Sequence, residues 1–380
     1  MDLQDLRKQI DNIDERVVKL FCERMDIAAK IGAYKNENNL PIFDPKRERE
    51  KLEEVAGMCS GQTENYLRSL YSLMFELSRS YQKQQTKSES SLQETIINAL
   101  SSTEKAFPNK ALVACQGVEG SFSQKACEKL FEYPSMMFFS SFESVFSAID
   151  NGLCRYGVLP LENSTAGSVN KIYDLMIKYD FSIVKSTRLK VDHCLLTNKD
   201  VNLSDIKEIF THEQAISQCE DFLKTMPDVK ITPCENTAVA AEHIFSSGRK
   251  DAAAISSRAC ADLYDLVCQK ESIQDQGSNF TRFICISKKL EIYPGADKTS
   301  IMMVLPHKPG ALYKTLSHFY ALGVNLIKLE SRPLPNSDFE FMFYFDLEAS
   351  VYDEKFLKVF DGIEDLCVKM KYLGSYSEVV

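Results

Sequence analysis

From Leu3 to Ile31 the aliphatic residues Leu3, Leu6, Ile10, Ile13, Val17, Leu20, Ile27 and Ile31 recur at spacings of three, four or seven. That period keeps them on one face of a long α-helix and suits no strand. The stripe constrains the fold more than any other feature, because something has to cover it. The neighbouring elements are short. Asn36–Asn39 and Pro41 close the helix, and Asp44-Pro45 reads as an N-cap and first-turn proline opening a second helix through about Val55. Gly57 to Gly61 interrupts the pattern, and a third helix is predicted from about Glu64 to Gln85. Three helices of such unequal length leave the first stripe partly bare, so a homodimer or higher homo-oligomer is the economical solution.

Beyond this all-α block of residues 1–88, residues 89–109 read as a polar linker with a short helix at Leu92–Leu100. From Lys110 the period changes. Predicted strands at Ala111–Cys115, Tyr156–Leu159, Phe181–Val184, Glu208–Thr211, Ala252–Ile255 and Arg282–Ser287 alternate with helical segments, an α/β pattern expected to give a largely parallel sheet over 110–288. That length suits two lobes with a cleft between them. Residues 299–376 read as strand, helix, strand, strand, helix, strand, an α+β ferredoxin-like order. A multidomain chain is also what 380 residues imply, since single cores stop growing below that length.

A net charge of −9 argues against nucleic acid as a partner. No run approaches the ~18 apolar residues of a membrane span, and Met1-Asp2-Leu3-Gln4-Asp5 enters a helix directly, which is not the pattern of a leader peptide. The 12 cysteines are scattered singly and none forms a C-x-x-C pair, so they are expected to be reduced, buried thiols in a cytoplasmic protein without a metal site. No cofactor is implied.

Several polar residues sit where the helical pattern wants apolar ones. Arg24 falls in the first stripe between Leu20 and Ile27, Lys35 returns to nearly the same face at ~100° per residue, and Arg7 points about 100° away. On the third helix Ser78 and Gln82 continue the line of Leu67, Leu70 and Met74, while Arg47 and Glu48 follow the Asp44 cap. The pattern alone serves internal ion pairs and an anion pocket equally well. With no nucleophile–base pair present, a pocket of this kind works by binding and electrostatic stabilisation.

The run Leu6-Arg7, Ile13-Asp14, Glu23-Arg24, Lys35, Pro41, Asp44 and Arg47-Glu48-Arg49-Glu50 resembles the helical type of chorismate mutase across nearly all of residues 2–85. The resemblance implies an intertwined dimer in which Arg7 crosses from the partner chain. It further implies that Arg24 and Arg47 hold chorismate carboxylates or support those contacts, that Lys35 and Gln82 flank the ether oxygen, and that Asp44, Glu48 and Ser78 complete the pocket, Glu48 meeting the ring hydroxyl.

In the α/β block, Gln116-Gly117-Val118-Glu119-Gly120-Ser121-Phe122-Ser123 joins a strand to a helix, as a plain connector or an anion-receiving turn. Pro160-Leu161-Glu162-Asn163-Ser164-Thr165-Ala166-Gly167-Ser168-Val169 is dense in small hydroxyl and amide groups, Asn236-Thr237-Ala238 caps a helix, and Asn279-Phe280-Thr281-Arg282-Phe283 enters a strand. Together with Thr211-His212-Glu213-Gln214-Ala215 and Ala253-Ala254-Ile255-Ser256-Ser257 these resemble prephenate dehydratase over about residues 110–287. The resemblance implies two lobes like a periplasmic binding protein, Thr281 as the catalytic residue, and Ser121, Asn163, Ser164, Thr165, Thr237 and Arg282 as prephenate contacts. His193, on an expected strand Val191–Leu196, is open to a role as general acid but reads more simply as a structural histidine.

Pro309-Gly310-Ala311-Leu312 and Leu329-Glu330-Ser331-Arg332-Pro333 resemble the paired motifs of the ACT regulatory domain, over about residues 299–376, with Tyr313 standing where an aliphatic residue is usual. The resemblance implies an L-phenylalanine effector site at Gly310, Ala311, Leu312, Glu330, Ser331 and Arg332. The whole chain thus implies a mutase fused to a dehydratase in phenylalanine biosynthesis. A non-catalytic amino-acid sensor, or a dehydratase keeping a mutase relic for dimerisation, explains the chain less well, since neither uses the full set around Arg24 and Lys35.

Overall fold

The computed structural model describes the chain apart from residues 1, 60, 85–90, 335–339, 354–355, 358–359, 361–362 and 364–365. The chain divides into two compact units, residues 1–96, 305–323 and 353–369 forming one and residues 97–304, 324–352 and 370–380 the other.

The first unit is built on three helices, α1 (Leu3–Glu37), α2 (Pro45–Ala56) and α3 (Thr63–Gln84). Asp44 caps α2, its Oδ1 accepting from the Arg47 N–H at 3.0 Å, and Pro45 sits at the first helical position where its missing N–H costs nothing. α3 approaches α1 closely at Gly32, where an added Cβ would lie 2.9 Å from the Gln82 Cβ. Only Ala28 and Gly32 of α1 are buried. The stripe stays bare within one chain: Leu3, Ile10, Val17 and Leu20 are 60%, 57%, 56% and 60% exposed. The same unit holds the helix Ala311–Ala321, preceded by Gly310 at φ +83°, a left-handed conformation that favours glycine. Part of the expected linker is itself helical, Ser91–Ser102, with Ile96 and Ala99 buried.

The second unit contains two sheets around a cleft. The first orders its strands Glu378–Val379, Ser182–Lys190, Phe280–Ser287, Tyr156–Asn163, Lys110–Gln116 and Tyr133–Phe139, with Gly167–Ser168 attached to Tyr156–Asn163. The second is five-stranded, in the order Val267–Lys270, Cys194–Thr197, Ala252–Ser256, Glu208–Thr211 and Lys230–Pro233. Both are mixed, which corrects the largely parallel sheet expected from the pattern. The reason is topological. Ser182–Lys190 leaves for the second sheet and Phe280–Ser287 returns from it, so these neighbours run antiparallel, and Phe280–Ser287 is antiparallel to Tyr156–Asn163 as well.

The strands Lys298–Val304, Asn325–Pro333, Phe341–Glu348 and Lys369–Tyr376 form a third sheet in the order second, third, first, fourth, which is ferredoxin-like. The second helix expected there falls partly on residues outside those described. This sheet is not a separate module. Met302, Val304, Met342, Tyr344, Leu373 and Tyr376 share one core with Leu159, Tyr173, Ile284 and Ile286 of the first sheet and its helices. The C-terminal Glu378–Val379 adds a strand beside Ser186 and Thr187.

No helix among the described residues is long and apolar enough to cross a membrane. None of the 12 cysteines is in a disulfide among the described residues, but Cys22 and Cys59 are exposed, against the expectation of buried thiols. Cys22 lies on the uncovered length of α1, and Cys59 between α2 and α3.

Candidate active sites

In the helical unit Arg24, Ser78 and Gln82 come together, Ser78 and Gln82 being one turn apart on the face of α3 that meets α1. The Arg24 guanidinium donates to Ser78 Oγ at 2.5 Å and lies 5.8 Å from the centre of the Phe75 ring. Gln82 is buried and its Oε1 has no partner among the described residues. It packs on Gly32, between Arg24 and Lys35 along α1. Lys35 Nζ donates to the Ile42 carbonyl at 2.7 Å. Asp44 serves as a cap and the Arg47 side chain is exposed. Glu48 pairs with Arg79 of α3, a residue that the helical pattern does not single out, and that guanidinium lies 5.0 Å from the Phe43 ring centre. The available signal was a second arginine beside Ser78, at the boundary of the same helix face. Arg7 is exposed, and at ~1.5 Å per residue it stands about 25 Å from Arg24 along one rigid helix. Within one chain the two reach no common pocket.

In the second unit a cavity of about 520 Å³ opens between the two sheets. Thr281 and Asn163 line it from one side, and His193, Gln218, Asn236 and Thr237 from the other, with Ser121, Ser140, His212 and Glu235. Among the described residues no lysine or arginine lines it. Instead the first turns of Phe122–Leu130, Phe142–Asp150 and Thr237–Ser247 reach it, capped by Ser121, Ser141 and Asn236. Free amides and the positive ends of helix dipoles there favour anions.

A buried chain of amides runs along the cavity floor, and its direction is determined. Asn163 Oδ1 accepts from the Thr165 and Ala166 backbone N–H groups at 2.9 and 2.8 Å, so its Nδ2 must donate. It does so to Asn279 Oδ1 at 2.7 Å and to Thr281 Oγ1 at 2.9 Å. Asn279 Nδ2 in turn donates to Gln218 Oε1 at 3.0 Å, which also faces His193 Nε2 at 2.9 Å. An amide oxygen cannot donate, so His193 carries its proton on Nε2. Its Nδ1 is then a bare acceptor, buried and without a partner among the described residues. Thr281 Oγ1 already accepts from Asn163, which leaves its own proton free to be donated into the cavity. Gln218, Asn279 and His193 were not among the expected site residues. Their signal, polar side chains on otherwise apolar buried elements, is shared by many structural residues.

Burial holds the His193 imidazole below its ordinary value of 6.5, against the opposing pull of Gln218 and Asp192. The folded state therefore binds this proton more weakly than the unfolded chain does. The resulting stabilisation is complete above pH 6.5 and is lost as pH falls below it. A pH series of unfolding midpoints for His193→Gln against the parent, from pH 7.5 to about 5.5, should show a flatter slope in the variant. Parallel curves would mean that His193 charges freely in the folded protein.

Other expected contacts lie elsewhere. Ser164 and Thr165 are exposed and absent from the cavity lining. Ser164 Oγ bridges the Ser278 carbonyl and the Phe280 N–H. Arg282 corrects the expectation outright. Strand residues alternate faces, so with Thr281 and Phe283 towards the cavity, Arg282 projects the opposite way. It is 4% exposed and meets Glu162 at 3.1 Å, Asp346 at 2.5 Å and the Tyr376 hydroxyl at 2.6 Å. Burial opposes the charge on Arg282, but Tyr376 and Asp346 more than restore it. Burial likewise opposes the charge on Glu162, and Lys328 and Arg282 hold its carboxyl below the usual range.

The expected effector residues divide in the same manner. On strand Asn325–Pro333, Glu330 accepts from Ser168 Oγ at 2.5 Å and Arg332 grips both oxygens of Asp174 at 3.1 and 3.2 Å. Alternation leaves Ser331 on the outward face, with Leu329. Glu330 and Arg332 are thereby committed to Ser168 and Asp174, beside the first sheet, contrary to their expected place around an effector. Gly310, Ala311 and Leu312 open the helix Ala311–Ala321 in the other unit. Among the described residues no group of His, Cys, Asp and Glu is arranged to hold a metal ion.

A chorismate mutase type II family model matches residues 6–83, and a prephenate dehydratase model matches residues 113–291. The chain is 33% identical over 384 residues to the bifunctional chorismate mutase/prephenate dehydratase of Aquifex aeolicus, spanning 100% of this chain and 99% of that protein. It is 30% identical to the bifunctional enzyme of Escherichia coli K12, over 98% of this chain and 95% of that one. A solved prephenate dehydratase from Arthrobacter aurescens, in complex with L-Phe, superposes with a TM-score of 0.64 at 27% identity, over 70% of this chain and 89% of that one. The full-length match carries both activities in one order along the chain, and the protein belongs to the bifunctional chorismate mutase/prephenate dehydratase family.

Proposed function

We propose that the helical unit rearranges chorismate to prephenate and that the cleft turns prephenate into phenylpyruvate, with Thr281 as the group that meets the departing hydroxyl. The direction of the amide chain carries this reading, since it leaves the Thr281 proton without an acceptor among the described residues. In the reaction a carboxylate leaves as CO2, its bonding electrons aromatise the ring, and the ring C–O bond breaks. The departing oxygen takes up one proton and becomes water. A threonine hydroxyl is a weak acid, so Thr281 orients that oxygen and relays a proton delivered through the cavity. Neutral His193 is poorly suited as the acid. Helix N-termini with Ser121 and Thr237 receive the substrate carboxylates. A lining of amides, hydroxyls and apolar side chains with His193, His212 and Glu235, and with no described lysine or arginine, keeps the leaving carboxylate from being over-stabilised in the ground state.

In the mutase pocket Arg24, Ser78, Gln82 and Lys35 hold chorismate compactly and stabilise the charge that grows on its ether oxygen. Asp44 and Glu48 border the pocket, and Arg47 supports it from the surface. Arg7 reaches such a pocket only from a second copy, and the uncovered stripe of α1 supplies the apolar surface for that homodimer. One assay tests both activities: chorismate supplied to the full chain without added metal should disappear while phenylpyruvate accumulates. Prephenate accumulating without phenylpyruvate would leave only the mutase.

L-Phenylalanine is the expected feedback inhibitor, held by the ACT-like block through Gly310, Ala311 and Leu312. The helix start receives its α-carboxylate and Leu312 takes its ring. Inhibition should lower the turnover of dehydration and not be overcome by excess prephenate. Gly310→Val, which strains a left-handed backbone, should raise the half-inhibiting phenylalanine concentration by about ten-fold. A competitive pattern indifferent to Gly310→Val would move the effector into the cleft. Removing the block after Lys289 is a poor test, because it also deletes Asp346, Tyr376 and the strand Glu378–Val379.

A further inference from the structure

Thr281 and Arg282 are neighbours on one strand, yet they serve opposite faces of it. Thr281 looks into the cleft. Behind the sheet, Arg282 is enclosed by three carboxylates: Glu162 at 3.1 Å, Asp346 at 2.5 Å and Glu378 at 3.7 Å. Asp346 belongs to the third sheet and Glu378 to the C-terminal strand, so this guanidinium joins three separate stretches of chain. Ser300, Tyr344 and Tyr376 close the cluster with hydroxyl contacts. At its edge Lys328 bonds Glu162 and reaches Ser168 Oγ at 2.9 Å. Glu162 is adjacent to Asn163, whose amide holds the Thr281 hydroxyl. Both residues that fix the reacting hydroxyl therefore have a charged neighbour anchored to the third sheet.

We propose that Arg282 is a positioning residue, tying the Thr281 strand through Asp346 and Glu162 to the C-terminal sheet and setting dehydration turnover without touching prephenate. The inference rests on the reading of Thr281 as the reacting group. A buried network of this kind is stiff only while each charge has its partner, and removing one lets the rest rearrange. The displacement passes to Thr281 because the two residues share one peptide. Misplacement of a reacting group by about 1 Å costs on the order of 10²-fold in rate, whereas substrate affinity depends on other groups. The same tie makes the cleft responsive to anything that shifts the third sheet.

The test uses the full chain with prephenate as substrate. Asp346→Asn keeps the size of the side chain and leaves Glu162 and Glu378 to balance the guanidinium. Its kcat should fall by about ten-fold or more while KM stays within about two-fold, and chorismate rearrangement should be unchanged. Lys328→Met, at the less buried edge of the cluster, should show the same selective loss of kcat at about three-fold. It also decides the matter if Asp346→Asn does not fold. Arg282→Lys should retain more turnover than Arg282→Gln, because it preserves the charge. Unchanged kcat in both Asp346→Asn and Lys328→Met would overturn the proposal. So would a large rise in KM with kcat intact in Arg282→Lys, which would make Arg282 a substrate ligand. Failure of the parent chain to dehydrate prephenate would instead sink the assignment of the cleft.

Discussion

Thr281→Val should lower phenylpyruvate formation from prephenate by about 10²-fold or more, the usual contribution of one positioned proton-handling group. Valine keeps the β-branched shape and the strand. It removes the oxygen that accepts from Asn163 and, with it, the proton proposed to meet the departing hydroxyl. Asn163 keeps one amide N–H on Asn279, and the other, which loses Thr281 Oγ1, borders the cavity, where water can accept it in place of the hydroxyl. The fold and the rearrangement of chorismate should persist. Thr281→Ser restores the hydroxyl with a freer rotamer and should recover most of the rate. Comparable phenylpyruvate formation by parent and valine variant would transfer proton handling to another group.

Lys35→Ala should lower mutase turnover by about 10²-fold or more, with chorismate binding much less affected. The ammonium is worth most when negative charge has built up on the ether oxygen, so its removal weighs on the transition state more than on the bound substrate. Lys35 donates to the Ile42 carbonyl, a bond that α1 and the loop after it supply locally and that water can replace. Stability should therefore change little, and prephenate supplied directly should be dehydrated at the parent rate. Near-normal chorismate turnover in Lys35→Ala would end the assignment of that pocket.

Much of the molecule was legible in the chain. The period of α1 announced both a helix and a surface needing cover, and Ser78 and Gln82 were placed together because residues four apart on a helix share a face. Strand alternation holds further information. Two adjacent residues of one strand cannot both line one cleft, so Thr281 and Arg282 were never compatible as joint substrate contacts. The same rule separates Glu330 and Arg332 from Ser331.

Sequence alone determined what depends on near neighbours. It set the helical and strand periods, the caps at Asp44 and Asn236, the faces of each element and the motifs that mark the family. These stem from backbone geometry, which repeats over a few residues. The tertiary structure alone decided which distant group meets each face. Arg282 finds Asp346 64 positions away, Asn163 meets Thr281 118 positions away, and the last strand returns to pair with Ser186 and Thr187. Such pairings are chosen by the packing of whole sheets and by the need of every buried charge for a partner, and no local pattern in the chain encodes them.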